Sequence, residues 1–229
     1  MKDKVVFITG AKGGLGSVIT SSFLRRGAQV IGASRSISAK DFPEANFEPV
    51  AVDFTSAEQL RDAVAKIVGR HGRIDVLAHV AGGFSGGQTI QTTTDDTWNQ
   101  MRELNLTSAF HVLRETVPHL RKSKSGRIVA IGSLTAKEPH ASLGAYVIFK
   151  SALTTLVQTV ALENADCGLT ANVVLPATMD TAANRQAMPK EDFSKWVQPQ
   201  DVADLVLWLA DESSSHVTGM AIPIEGKHG

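Results

Sequence analysis

One cysteine, Cys167, is all that 229 residues contain. No disulfide can form within the chain, and a reducing compartment is expected. Net charge is also missing, because Lys plus Arg and Asp plus Glu number 23 each. That removes the basic footprint of a nucleic-acid binder and the polybasic patch of an acidic-lipid binder. No unbroken apolar run approaches the roughly 18 residues that a membrane-spanning helix needs. The opening MKDKVVFITG enters a strand-like run at once, with no signal-peptide core. No repeat, low-complexity tract or dividing linker interrupts the chain, and no metal is expected. What remains is a cytoplasmic globular protein, 43% apolar and long enough for a substantial core, expected as a single domain over 1–229.

Short β-branched runs recur along this length: KVVFIT (4–9), AQVIGA (28–33), NFEPVAV (46–52), IDVLAHV (74–80), GRIVAIG (126–132), LTANVVL (169–175) and GMAIPI (219–224). They are nearly continuous in apolar character, as suits parallel strands buried on both faces. Helical patterns fill the gaps at 14–26, 56–71, 95–123, 142–165 and 199–212. Ser56 followed by Glu58 and Gln59, and Pro199 at the head of the last pattern, are start signals. Pro118 is expected to kink or break the third helix. Strand alternating with helix throughout predicts an α/β doubly wound sheet of about seven strands. Residues 176–198 break the rhythm: too long for a strand-to-helix turn, they are expected to form a substrate lid over 177–198. Met179, Met188, Phe193 and Trp196 supply apolar groups to close it.

The first strand runs through Thr9-Gly10-Ala11-Lys12-Gly13-Gly14-Leu15-Gly16 straight into a helix. Glycines there permit a tight turn and close approach of backbone to a pyrophosphate, while the helix N-terminus offers free N–H groups. In an open α/β sheet the ligand sits beyond the carboxyl ends of the strands. Those ends carry Ser34-Arg35, Asp53-Phe54, Ala81-Gly82-Gly83, Ser133, and Pro176-Ala177-Thr178 through Thr181. Tyr146, the only tyrosine, has Lys150 four positions on, and such a pair shares one helix face. By itself that offset occurs by chance about one time in twenty, so it decides little. Ser133, 13 residues before Tyr146, brings a strand end and the helix after it within reach of one crevice.

These pieces together resemble the short-chain dehydrogenase/reductase family over essentially the full length: TGAKGGLG, Asp53, AGG (81–83), LNLTSAF around Asn105, IGS ending at Ser133, YVIFK and PATMDT. The resemblance implies Tyr146 as general acid/base, Lys150 as its electrostatic activator and ribose ligand, Ser133 as the holder of a substrate carbonyl, and Asn105 as the anchor of a water-mediated proton relay. It also implies dinucleotide contacts at Gly10, Lys12, Gly14, Leu15, Gly16, Ser34, Arg35, Asp53, Phe54, Ala81, Gly82, Gly83, Tyr146, Lys150, Pro176, Ala177, Thr178 and Thr181, with Phe84 beside the lid residues at the substrate end. Free tyrosine titrates near 10. A lysine ammonium and an oxidised nicotinamide nearby are expected to lower that value. Where the usual motif after strand four reads Asn-Asn-Ala-Gly, this chain has His79-Val80-Ala81-Gly82, and His79 is read as a packed strand residue.

Cofactor preference follows from charge. Members that prefer NAD commonly end strand two with an acidic residue that bonds the ribose 2′-OH. Ser34, Arg35 and Ser36 stand there instead, and a cation with a neutral donor suits a 2′-phosphate, so NADP(H) is favoured over NAD(H). The segments VAGGFSGG (80–87) and 175–196 are similar to loops of quinonoid dihydropteridine reductase, although that enzyme resembles an NAD type at strand two and lacks a counterpart of Ser133. Three readings stand side by side: a reductase of ketones, aldehydes or 3-oxoacyl groups, a dihydropteridine-reductase-like enzyme, and a catalytically silent dinucleotide sensor. The resemblance further implies a homodimer or homotetramer paired through helices 95–123 and 142–165.

Overall fold

The computed structural model describes residues 1–123 and 125–226; the last three residues of the expected domain lie outside that range. The strands are β1 (Val5–Thr9), β2 (Gln29–Ser34), β3 (Phe47–Ala51), β4 (Val76–His79), β5 (Arg127–Ile131), β6 (Thr170–Pro176) and β7 (Ala221–Ile224). All pair in parallel in the order β3-β2-β1-β4-β5-β6-β7. The order reverses direction between β1 and β4, which opens a crevice beyond their carboxyl ends.

The helices α1 (Gly14–Arg25), α2 (Ala57–His71), α3 (Asp95–Arg102), α4 (Ser108–Lys122), α5 (Gly144–Glu163), α6 (Ala182–Ala187) and α7 (Pro199–Leu209) cover both faces. Alternate strand residues feed two separate cores. On one face Phe7, Ile31, Leu77 and Ile128 meet Leu60 and Ile67 of α2, Val112 and Leu120 of α4, and Leu153 and Val157 of α5. On the other, Val6, Ile8, Val30 and Val129 meet Ile19 and Phe23 of α1 and Val202 and Val206 of α7. Each such side chain, removed from water, stabilises the fold by about 1.5–3 kcal/mol before entropy is counted. This is a Rossmann-type doubly wound α/β fold, and the central strands are buried along their whole length, as their unbroken apolar runs require.

Start signals act where the sequence puts them. Ser56 Oγ accepts from Gln59 N at 3.4 Å at the head of α2, and Pro199 opens α7. The break in the third helical pattern falls elsewhere than expected. Pro118 lies inside α4, whereas Glu103–Thr107 form a wider π-turn between α3 and α4, with Ser108 N bonding Glu103 O. Side chains take up carbonyls there: Asn105 Nδ2 donates to Met101 O at 3.1 Å and Ser108 Oγ to Leu104 O at 2.9 Å. A π-turn inserts one residue per turn and swings Asn105 inward, which a proline on the outer turn cannot do. By length and composition α5 is apolar enough to cross a membrane, although polar residues interrupt its apolar runs. Here its apolar residues pack on the sheet and, through Ala145 and Phe149, on Met101.

Candidate active site

The crevice is a cleft of about 570 Å³ beyond β1, β2, β4 and β5, within the range of cofactor sites. Its floor is the glycine turn. Gly10 has φ +69°, and a Cβ there would lie 2.8 Å from Ala81 N, so the loops after β1 and β4 touch through bare backbone. A Cβ on Gly16 would meet Gly10 O at 2.0 Å, so only glycine lets α1 start this close to the strand it leaves. The Gly13 N-cap has no side-chain hydrogen bond. The first N–H groups of α1 therefore face the cleft uncapped, as an anion site at a helix N-terminus needs. A pyrophosphate fits this donor set.

Of the anticipated contacts, Gly10, Lys12, Gly14, Leu15, Gly16, Ser34, Arg35, Ala81, Gly82, Gly83, Phe84, Tyr146, Lys150 and Met179 line the cleft. Gly13 and Ser36, read within their motifs, line it too, as do Val80, Ile131 and Gly132, which were not anticipated as contacts. They belong to strand ends whose neighbours were named, and a residue contributing only backbone leaves no side-chain signal. Asp53 is turned to its own loop, accepting from Thr55 N at 3.0 Å and Thr55 Oγ1 at 2.8 Å. These bonds, then the Arg35 charge, hold its carboxyl low. Phe54 is buried in the core. Thr181 is the N-cap of α6, accepting from Asn184 N at 3.3 Å. Its side chain would lie 3.4 Å from a Cβ on Gly14, so the segment after β6 folds back onto the glycine turn. Pro176 ends β6, Ala177 N bonds Ile224 O at 3.0 Å and Thr178 O accepts from Val197 N at 2.9 Å.

The stem of segment 177–198 is thus a short ladder, with Asp180 N also bonding Val197 O at 2.8 Å. Its outer part is knit to itself. Asp180 holds Arg185, whose guanidinium stands 4.8 Å over the Phe193 ring, and Phe193 lies 4.8 Å from Trp196. Among the anticipated apolar groups of this segment, Met179 reaches the cleft, while Met188, Phe193 and Trp196 do not line it.

At the opposite end, α5 carries Tyr146 and Lys150 to the mouth of β5. Lys150 is buried and donates Nζ to Ile131 O at 3.0 Å. Burial draws its pKa down to about 8. Its ammonium lies 5.9 Å from the Tyr146 ring centroid, and the Phe84 ring meets Tyr146 edge-on at 5.0 Å. Ser133 is buried and does not line the cleft; its hydroxyl acts to lower the pKa of the Tyr146 phenol, and its Oγ lies 2.9 Å from Thr135 Oγ1. Burial raises the pKa of the phenol above the usual value, and the Ser133 hydroxyl offsets that only in part. Desolvation of the phenolate is the largest cause, and the nearby Lys150 ammonium is engaged with Ile131 O.

Behind the wall of the cleft, Asn105 is fully buried and fully bonded, donating Nδ2 to Gly83 O at 3.0 Å and accepting from Gly83 N at 3.2 Å. A Cβ on Gly82 would lie 3.0 Å from Asn105 Oδ1 and 3.1 Å from Lys150 Nζ, so glycine here brings the two groups to one backbone. His79 is buried in β4, as read from its strand. Its Nδ1 lies 2.9 Å from Thr9 Oγ1, which accepts from Val80 N and Ala81 N at 3.2 Å each. Burial first, then the Lys150 charge, pushes the imidazole pKa down to about 3, so the ring is neutral.

Residues 4–192 match the family model of short chain dehydrogenases. The chain is 29% identical over 241 residues to the 2,3-dihydro-2,3-dihydroxybenzoate dehydrogenase of Escherichia coli K12, covering 97% of this chain and 96% of that protein. It is 28% identical over 241 residues to the 3-oxoacyl-[acyl-carrier-protein] reductase of Thermotoga maritima, at 99% and 98% coverage. Among solved structures, ElxO with NADP bound superposes with a TM-score of 0.91 at 28% identity, over 99% of this chain and 98% of that one.

Proposed function

The chain belongs to the short-chain dehydrogenase/reductase family of oxidoreductases, which bind a nicotinamide dinucleotide and act on small molecules, and on that premise we propose that it is an NADP(H)-dependent carbonyl reductase in which Tyr146 delivers the proton. One observation carries the reading: Tyr146 and a buried Lys150 line the same cleft as an uncapped helix N-terminus, with Ser133 directly behind them at the end of β5. The 3-oxoacyl reductases among the relatives favour a ketone or 3-oxoacyl substrate.

When bound, the nicotinamide supplies the hydride. The protein's own residues do the rest. The uncapped turns at Gly13–Gly16 hold the pyrophosphate, and Gly82–Gly83 with Ile131–Gly132 wall the nicotinamide end. The Ser133 hydroxyl donates to the carbonyl oxygen as charge develops on it. The Tyr146 phenol gives its proton to that oxygen. Lys150, nearly fully buried, then stabilises the phenolate and donates to the ribose hydroxyls. Asn105 fixes the Gly83 backbone and anchors the relay that returns a proton to Tyr146. Segment 177–198 is the lid of the site, with Met179 its inner contact, and residues 1–229 act as one catalytic domain. The chain pairs with itself through α4 and α5, where Phe110 and Ile148 are exposed.

The test is binding of NADPH and NADH to the purified protein, followed by cofactor oxidation with a diketone, an acetoacetyl thioester and a quinonoid dihydropterin. Turnover of the diketone or thioester that vanishes in Tyr146→Phe while NADPH still binds supports the reading. Turnover of the dihydropterin alone would move the enzyme to the dihydropteridine branch, and tight binding without any turnover would overturn the catalytic role.

A further inference from the structure

One of the two cations that would receive a 2′-phosphate is already engaged in the protein. Lys12, on the glycine turn, sets Nζ 2.9 Å from Asp41 Oδ1 and donates to Ser36 O at 3.0 Å. Asp41 in turn accepts from Ser38 N at 2.8 Å and Ser38 Oγ at 3.1 Å through its other oxygen. Its carboxylate is therefore fixed at the point where the loop after β2 folds back on itself. The Lys12 hydrogen bond, then the Ser38 amide, keep Asp41 below the usual carboxylate range, so it is ionised wherever a reductase is assayed. Beside it, the Arg35 charge falls on Asp53. Lys12, Ser34, Arg35 and Ser36 all line the cleft. This corner of the site thus carries two cations, of which Lys12 is ion-paired to a carboxylate.

We infer that Asp41 is a specificity-determining residue, which holds Lys12 across the adenosine end of the cleft and so weakens the discrimination of a 2′-phosphorylated dinucleotide from an unphosphorylated one. The inference rests on the NADP(H) reading above. A 2′-phosphate arriving between the glycine turn and Ser34–Ser36 meets a lysine already engaged and a carboxylate of its own sign. To bond Lys12 it has to share or displace Asp41. An unphosphorylated ribose makes no such demand, and the ion pair stays shut over it. Lys12 keeps 46% of its side-chain exposure, so it is free to turn once released.

Asp41→Asn preserves shape and one acceptor for Ser38 while removing the charge. Dissociation constants for NADPH and NADH are measured by cofactor fluorescence on wild type, Asp41→Asn, Asp41→Ser, Lys12→Gln and the Lys12→Gln/Asp41→Asn double variant. The expected result is NADPH bound about 3- to 10-fold more tightly in Asp41→Asn, with NADH within about twofold. Asp41→Ser, which also keeps an acceptor, is expected to move the ratio the same way. The gain shrinks in the Lys12→Gln background, because the released lysine is its main source. An NADPH-to-NADH ratio that stays put or falls in both Asp41 variants would overturn the inference. Wild type binding NADH more tightly than NADPH would end the NADP(H) reading instead, since that preference and the shift caused by Asp41 are separate quantities.

Discussion

The two ends of the cleft handle positive charge in opposite ways. At the nicotinamide end a single ammonium, Lys150, is 5% exposed, bonded to a main-chain carbonyl, and has no carboxylate among its hydrogen-bond partners. At the adenosine end Lys12 and Arg35 stand largely in water, each with an acid nearby. Burial makes the first charge expensive and therefore reactive: its pKa comes down to about 8 and its field is felt as far as His79. Solvent makes the second pair cheap and adjustable, because exposed charges are screened and weakly coupled. In the function proposed above, the first end serves proton chemistry and the second recognition.

That contrast can be broken in order of expected effect. Tyr146→Phe removes the proposed acid at the buried end. It is expected to cut kcat by about 10²- to 10⁴-fold while NADPH affinity stays within about twofold, as stopped-flow turnover and cofactor titration would report. An unchanged kcat would mean that the buried end does no proton chemistry.

Lys150→Met removes the buried charge. Lys150 binds its proton less tightly folded, at about 8, than at its ordinary 10.5. The unfolded chain therefore carries more protons between those values, and wild-type stability rises with pH across that window. Urea melts at pH 7.5 and 10 should show wild type gaining up to about 3 kcal/mol relative to Lys150→Met. Parallel curves would show that the ammonium is better solvated than its burial implies.

Gly16→Ala probes the backbone-built floor between the two ends. A Cβ 2.0 Å from Gly10 O forces α1 away from β1, at a cost of about 1–3 kcal/mol, and weakens both dinucleotides alike. Calorimetry and binding read the two effects separately. The smallest effect belongs to the exposed end, where Arg35→Ala should weaken NADPH about tenfold and leave NADH and kcat unchanged, as one water-exposed contact to phosphate would. Equal losses for both cofactors would show that Arg35 supports the loop and not the phosphate.

Much of this was legible in the chain. Seven strand segments stand within two residues of their apolar runs, and the four central ones are apolar along most of their length because they are buried on both faces. Glycines at 10 and 16 announced the turn, since no other residue tolerates those contacts. Other features were not legible. The π-turn at Glu103–Thr107 leaves no compositional trace, while Pro118 left one without ending its helix. The self-knit lid surface of Arg185, Phe193 and Trp196 could not be told in sequence from groups that reach a ligand. The Lys12–Asp41 bridge spans 29 positions and joins two loops whose approach no local pattern records.

The sequence by itself determined the architecture and the glycine turn at the floor of the cleft, because burial periodicity and glycine placement are local demands that each segment must meet alone. Tertiary structure alone decided the electrostatics: that Tyr146 sits above its ordinary pKa and Lys150 below, and that Lys12 is engaged with Asp41. Those outcomes depend on how much water and which charges surround a group once distant segments have packed, and a residue's neighbours in space are not its neighbours in the chain.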